Sequence, residues 1–353
     1  MHSPTIYARK LEDGRMECQV CPHACRLGDG QRGRCFVRMG AREDIVLTTY
    51  GRSSGFCIDP IEKKPLYHFY PGSPVLSFGT AGCNLSCSFC QNWHLSRCRS
   101  MDRLMAEASP EAIAEAASVH GCCSVAYTYN DPVVFFEYAM DTADACREKG
   151  IFSVAVTAGY IHGKAREDFF SRMDAANVDL KAFSEDFYKK FCGASLAPVL
   201  DTLRYIRRET RIWLEITTLL IPGCNDGEGE IHALCAWILE HLGPEVPLHF
   251  TAFHPDFKMA HLERTPLATL IRARNQALSL GLFHVYVGNV QTGEKESTFC
   301  PHCKKALIGR AGYRITDWGL GGGGICLACG KPCAGHFGAL PGDWGPRCLP
   351  LRF

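Results

Sequence analysis

Between residues 73 and 292 the chain repeats one two-part pattern, a short apolar or β-branched run followed by an amphipathic stretch. The runs Val75–Phe78, Ser124–Thr128, Phe152–Thr157, Asn177–Leu180, Trp213–Leu220, Pro247–Phe253 and Val285–Val287 predict strands. Helices are predicted between them, and several are punctuated. Ser109 before Pro110 is an N-cap with proline in the first helical position, and this helix runs toward Gly121. A second, from Phe135 to Lys149, stops at Gly150. Thr265-Pro266 opens another, which Gly281 ends. Strands alternating with helices make a parallel α/β sheet. Six to seven such units, wound right-handedly, predict a partial, open (β/α)6-7 TIM-like barrel, with a doubly wound open sheet as the alternative. Either architecture carries its chemistry at the C-terminal ends of the strands.

The flanks lack this periodicity. Residues 1–72 read as an N-terminal Cys-rich segment, 73–292 as the catalytic core and 293–353 as a C-terminal four-Cys module, with a flexible loop at Gly321–Gly324. A net charge of +1 gives no general attraction to nucleic acid, membranes or acidic partners. From Cys300 onward seven Lys/Arg face only Asp317 and Asp343, but without the interleaved aromatics that would indicate nucleic-acid binding. No apolar run reaches membrane-spanning length, and Met1-His2-Ser3-Pro4 is no secretory signal, so a cytoplasmic protein is expected. The 21 cysteines then point to metal rather than disulfides. Eleven fall into three groups, and the other ten read as small buried hydrophobes.

The central group decides the chemistry. Cys83, Cys87 and Cys90 form a C-x3-C-x2-C triplet in a loop directly after the first predicted strand. Three thiolates at this spacing hold a 4Fe-4S cluster and leave the fourth iron open to a small molecule. Gly79 and Gly82 allow a tight loop there. Asp179 and Lys181 alternate with Val178 and Leu180, so both charges share the interior face of their strand, as a ligand contact or an ion pair. Asp131, before Pro132, suits either a ligand ammonium or a helix N-cap, and one residue can do both.

The triplet is the signature of radical S-adenosylmethionine (radical SAM) enzymes. The text around it is more specific. Ile61-Glu62-Lys63-Lys64-Pro65-Leu66-Tyr67-His68-Phe69-Tyr70-Pro71-Gly72, Thr128-Tyr129-Asn130-Asp131-Pro132, Asn177-Val178-Asp179-Leu180-Lys181-Ala182-Phe183, Leu219-Leu220-Ile221-Pro222-Gly223, Phe253-His254-Pro255 and Tyr286-Val287-Gly288-Asn289 resemble the AmmeMemoRadiSam-system radical SAM enzymes, relatives of the pyruvate formate-lyase activating enzymes. The resemblance implies a radical SAM barrel, a 4Fe-4S cluster and S-adenosyl-L-methionine as cofactors, and reductive cleavage to a 5′-deoxyadenosyl radical that abstracts hydrogen. It implies cofactor contacts for Asn130, Asp131, Asp179, Lys181 and His254, with His249 left to packing. Asp131 stands where the family usually has Glu, and Thr157-Ala158-Gly159-Tyr160 lacks the family's Asn. Glu62-Lys63-Lys64 reads as an active-site lid or a solvated turn. Memo-like and AMMECR-like proteins are implied as partners, and flavodoxin or ferredoxin as electron donor.

Two further groups flank the core. Cys18, Cys21, Cys25 and Cys35 suit zinc or a second iron–sulfur cluster, and their uneven spacing does not choose. Cys300, Cys303, Cys326 and Cys329, in C-x2-C-x22-C-x2-C spacing around Tyr313-Arg314-Ile315-Thr316, read as a zinc-ribbon-like module, with zinc preferred to iron. Cys333 and His302 are spare candidates. The expected function is a radical SAM enzyme acting on a protein or peptide, by analogy with activating enzymes. The alternatives are radical modification of a small metabolite or RNA, and a non-catalytic metal or redox-sensing protein.

Overall fold

A computed structural model describes residues 3–98, 106–290 and 296–353. The boundary placed between residues 292 and 293 lies outside the described residues. The centre is a nine-stranded sheet. Its strands are β1 (Phe56–Pro60), β2 (Pro74–Phe78), β3 (Ser124–Tyr127), β4 (Phe152–Thr157), β5 (Ala175–Asp179), β6 (Trp213–Leu220), β7 (Leu248–Ala252), β8 (Val285–Gly288) and β9 (Leu349–Leu351). Strands β2 to β8 lie side by side in sequence order and are parallel throughout. The order never reverses, so the sheet has no switch point of the doubly wound kind.

The connecting helices are α1 (Pro110–Val119), α2 (Phe136–Glu148), α3 (Gly163–Phe170), α4 (Ala197–Glu209), α5 (Glu228–His241) and α6 (Leu267–Leu280). Local chemistry sets their ends. The Ser109 hydroxyl accepts from Ala112 N, and Pro110 opens α1. Gly281, at φ +114, ends α6 in the left-handed region. Each helix buries one apolar stripe, such as Val199, Leu203 and Ile206 of α4.

The flanks join this sheet. β1 pairs antiparallel with β2, and β9 pairs antiparallel with β1, so residues near both termini extend its edge. There Cys57 Sγ and Cys348 Sγ stand 2.7 Å apart. The segment after β1 is neither a solvated turn nor an open lid. Glu62 and Lys64 are buried, and Lys63 and Lys64 both bond Asp59, at 3.0 and 2.9 Å.

Pro65 to Tyr70 then passes beneath the sheet's interior face. Asn177 Nδ2 donates to Pro65 O (2.8 Å), and Glu215 Oε1 accepts from His68 N (2.7 Å). The C-terminal module clasps the same segment from the other side. His336 N donates to His68 O (2.7 Å), Tyr70 N to His336 O (2.8 Å), and the buried Arg310 guanidinium to Tyr67 O (2.6 Å).

Candidate active site

The cysteine loop begins where β2 ends. A Cβ on Gly79 would stand 2.3 Å from Thr128 O and 2.7 Å from Asn130 Oδ1, so only glycine lets the ends of β2 and β3 approach this closely. Asn130 then pins the loop. Its Oδ1 accepts from Thr80 N (2.8 Å), and its Nδ2 donates to Gly82 O (2.9 Å) and Ala81 O (3.2 Å). From this anchored base Cys83, Cys87 and Cys90 reach one cavity, of about 1110 Å³ including its open mouth. Its walls come from strand C-terminal ends, through Thr157, Asp179, Thr217 and Thr251, with Asn289 following β8.

Burial raises the Cys83 and Cys90 thiols above their ordinary range. Cys87 is raised by its hydrogen bond with Cys192 and then by burial. Metal binding at this loop therefore releases protons, because the ligand form is the thiolate. Leu85 N is already directed at Cys83 Sγ (3.4 Å), and Cys90 Sγ lies 3.2 Å from Ser96 Oγ.

Cys192 carries no spacing signal and is one of the ten scattered cysteines expected as buried hydrophobes. The fold brings it in through a π-helical turn, Tyr188–Cys192, closed by Gly193 at φ +61. The carbonyls of Phe191 and Cys192 accept from Ser88 N (2.8 Å) and Ser86 N (2.7 Å), which ties this turn to the cysteine loop.

Asp179 and Lys181 both line the cavity and pair at 2.9 Å. Burial opposes the charge on Lys181, but Asp179 and the sulfurs of Cys87 and Cys192 outweigh it and hold the ammonium well above the usual lysine range. Asp131 also lines the cavity, and it caps the helical turn Pro132–Phe135. Its oxygens accept from Val133 N (3.0 Å), Thr157 Oγ1 (2.9 Å) and Ala158 N (2.9 Å). Burial raises its acid above the ordinary aspartate range. Thr157 and Ala158 thus form part of the wall with Asp131, and Ala158 is the residue before Gly159-Tyr160 where the resemblance leads one to expect Asn.

His254 is not brought to this site. It is exposed and not among the residues of the cavity wall, because β7 ends at Ala252 and the next inward side chain is the fully buried Phe253. His249 lies one layer below the cavity, buried, with Nε2 2.6 Å from Glu215 Oε2.

The flanking groups differ in geometry. Cys300, Cys303, Cys326 and Cys329 bring all four sulfurs within 4.8 Å of one another, with two pairs at 3.7 Å. Cys18, Cys21, Cys25 and Cys35 line a separate, smaller cavity. Cys333 groups instead with His68 and His284. Both His68 ring nitrogens are already committed, to Ala334 O (2.7 Å) and the Tyr286 hydroxyl (2.6 Å), so this trio is a polar core contact.

Comparison with known proteins agrees with this geometry. An uncharacterized protein of Methanocaldococcus jannaschii is 40% identical over 305 residues, covering 86% of this chain and 90% of its own length. The pyruvate formate-lyase-activating enzyme of Clostridium pasteurianum is 25% identical over 159 residues, 43% of this chain and 64% of that enzyme. Among solved structures, Streptococcus suis SuiB bound to precursor peptide SuiA shares the fold at a TM-score of 0.50 and 15% identity, over 65% of this chain and 51% of that one. Family membership implies a 4Fe-4S cluster and S-adenosylmethionine, and the donor set fits them, with three thiols on one loop beside a roomy cavity. Residues 78–235 match the radical SAM superfamily, and the chain belongs to that superfamily.

Proposed function

We propose that this chain is a radical SAM enzyme whose substrate is a protein or peptide. The observation that carries the reading is the single cavity shared by Cys83, Cys87, Cys90 and the Asp179–Lys181 pair at the strand C-terminal ends. When bound, the 4Fe-4S cluster and S-adenosylmethionine supply one-electron cleavage of the sulfonium and a 5′-deoxyadenosyl radical that abstracts hydrogen. The protein's part is positioning. Lys181, held charged, is suited to a carboxylate, and the partly open Asp179 carboxylate to an ammonium or a ribose hydroxyl. Asn130 and Asp131 hold the loop and the wall in place through the hydrogen bonds they make.

A macromolecular substrate is supported by the surface beside the cavity. Trp93 follows the cavity residue Asn92, is 40% exposed, and stacks on Phe257 with ring centroids 5.3 Å apart. An exposed tryptophan backed by a half-buried phenylalanine suits a peptide or protein surface. The similarity to an activating enzyme supports the same reading. Memo-like and AMMECR-like proteins, named by the family resemblance, are the first candidate partners, with flavodoxin or ferredoxin as electron donor. For the C-terminal cysteines a single tetrahedral ion, zinc in preference to iron, is supported by two sulfur pairs at 3.7 Å, close to the roughly 3.8 Å that tetrahedral metal–thiolate bonds require.

The test is anaerobic reconstitution with dithionite and S-adenosylmethionine. Wild type should form 5′-deoxyadenosine and Cys83→Ala should not. Absence of cleavage with every reductant would remove the enzyme reading. Deuterium passing from a labelled partner protein into 5′-deoxyadenosine identifies the substrate. Transfer only from small molecules or RNA would overturn the protein substrate.

A further inference from the structure

The smaller cavity, at Cys18, Cys21, Cys25 and Cys35, is not absorbed by the proposed reaction. All four cysteines line it, and each sulfur receives a backbone N–H. Val20 is directed at Cys18, His23 at Cys21, Arg34 at Cys25 (3.4 Å), and both Val37 and Arg38 at Cys35. Backbone donors converging on sulfurs around one void make a ligand set rather than a packing contact, although burial holds the Cys18, Cys21 and Cys35 thiols above their ordinary range. Cys18 and Cys35 are buried, and Cys21 and Cys25 are half-buried toward the surface.

The spacing of the sulfurs chooses between the two occupants that the sequence left open. A single tetrahedral ion draws four sulfurs to about 3.8 Å from one another, and the C-terminal four already stand within 4.8 Å, two pairs of them at 3.7 Å. Among the described residues, no three of the N-terminal four bring their sulfurs within 4.8 Å. In a four-iron cluster each thiolate binds a different iron, so the sulfurs stand apart around a body of iron and sulfide. The void of about 370 Å³, including its mouth, lies between them.

We propose that this cavity binds a second iron–sulfur cluster, of the four-iron type, with Cys18, Cys21, Cys25 and Cys35 as its ligands. The site abuts the radical site. Asn84, the neighbour of Cys83, lines the N-terminal cavity, and its backbone oxygen lies 2.8 Å from His23 Nε2. The carbonyl of Cys35 packs on Gly82, where a Cβ would stand 2.2 Å away. One buried cation, Arg38, faces the cavity, and its bidentate pairing with Glu137 at 2.9 and 2.8 Å holds it there.

The proposal is independent of turnover, so it is tested by metal content and spectroscopy of the full chain. Anaerobically reconstituted wild type should hold about eight irons and one zinc, at four irons per cluster. A Cys83→Ala/Cys87→Ala/Cys90→Ala variant should keep about four irons and a reducible cluster signal in electron paramagnetic resonance. The reciprocal Cys18→Ala/Cys35→Ala variant should lose about half its iron while keeping its zinc and its cleavage-competent cluster. A triple variant that retains fewer than about two irons while remaining folded by circular dichroism, or wild type that carries a second zinc, overturns the assignment.

Discussion

The two flanking cysteine groups each supply four thiols, yet they are built on different principles. The N-terminal four sit within the main core. Cys18, Val20, Leu27, Cys35 and Val37 pack in the same apolar cluster as β2, β3 and α2. The C-terminal group has a small separate core, in which Leu307, Ile308 and Leu320 are buried with Cys300, Cys326 and Cys333, and Cys303, Ile315, Trp318 and Phe337 pack against them. A segment that small cannot bury enough apolar surface to hold itself together. The zinc proposed for the tail would thus be a scaffold, whereas the cluster proposed for the N-terminal cavity would be a guest in a structure that folding already supports.

The largest expected effect tests the tail. Structural zinc supplies roughly 10–16 kcal/mol of apparent folding free energy in isolated zinc-finger peptides. Cys326→Ser should therefore abolish zinc and expose the segment from Cys300 to Gly342 to protease, while the rest of the chain stays resistant. An unchanged digestion pattern would break the comparison. Next comes Arg38, which ties the N-terminal cavity to α2 through Glu137, both of them buried. Arg38→Met leaves that carboxylate unpaired and should cost about 3–5 kcal/mol by denaturant unfolding, with or without iron. A loss seen only in the iron-loaded protein would mean that the N-terminal region also depends on its metal.

The third effect reads the clasp between the two ends through pH. Burial raises Glu62 from the ordinary carboxylate range to about 7, and its Oε1 accepts from Gly72 N at 2.8 Å. A carboxyl with a raised folded pKa binds more protons when folded than when unfolded, so its stabilising contribution is complete below about pH 4.5 and is lost as pH rises through 7. The loss is on the order of 3 kcal/mol by pH 8, and Glu62→Gln should flatten it. His284, lowered to about 4 by burial, acts in the opposite sense, losing stability as pH falls from 6.5 through 4. The difference between Glu62→Gln and wild type isolates the carboxyl. Identical pH profiles for the two proteins would place Glu62 outside the clasp's energetics.

The parallel strands, the helix start at Ser109 and the stop at Gly281 were legible because they rest on local rules, apolar runs, a capping hydroxyl and left-handed glycine. The Thr265 hydroxyl instead accepts from Phe253 N and donates to Leu220 O, and α6 opens after Pro266 without a side-chain cap. The cysteine triplet was legible for the same reason, since three ligands on one short loop encode their own proximity. His254, implied by resemblance alone, lies exposed and off the cavity wall, where Phe253 past the end of β7 takes the buried position. Cys192, the Pro65–Tyr70 segment under the sheet and the pairing of β9 with β1 were invisible, because each is a contact between residues far apart in the chain.

The same division runs through the three cysteine groups. Sequence by itself determined that eleven cysteines fall into three groups and that the central group has the radical SAM spacing, because residue count and loop length are properties of the chain. Only the tertiary structure decided how far apart the sulfurs of the outer sets stand. That distance, set by tertiary packing rather than by spacing along the chain, is what distinguishes the ion proposed for one end from the cluster proposed for the other.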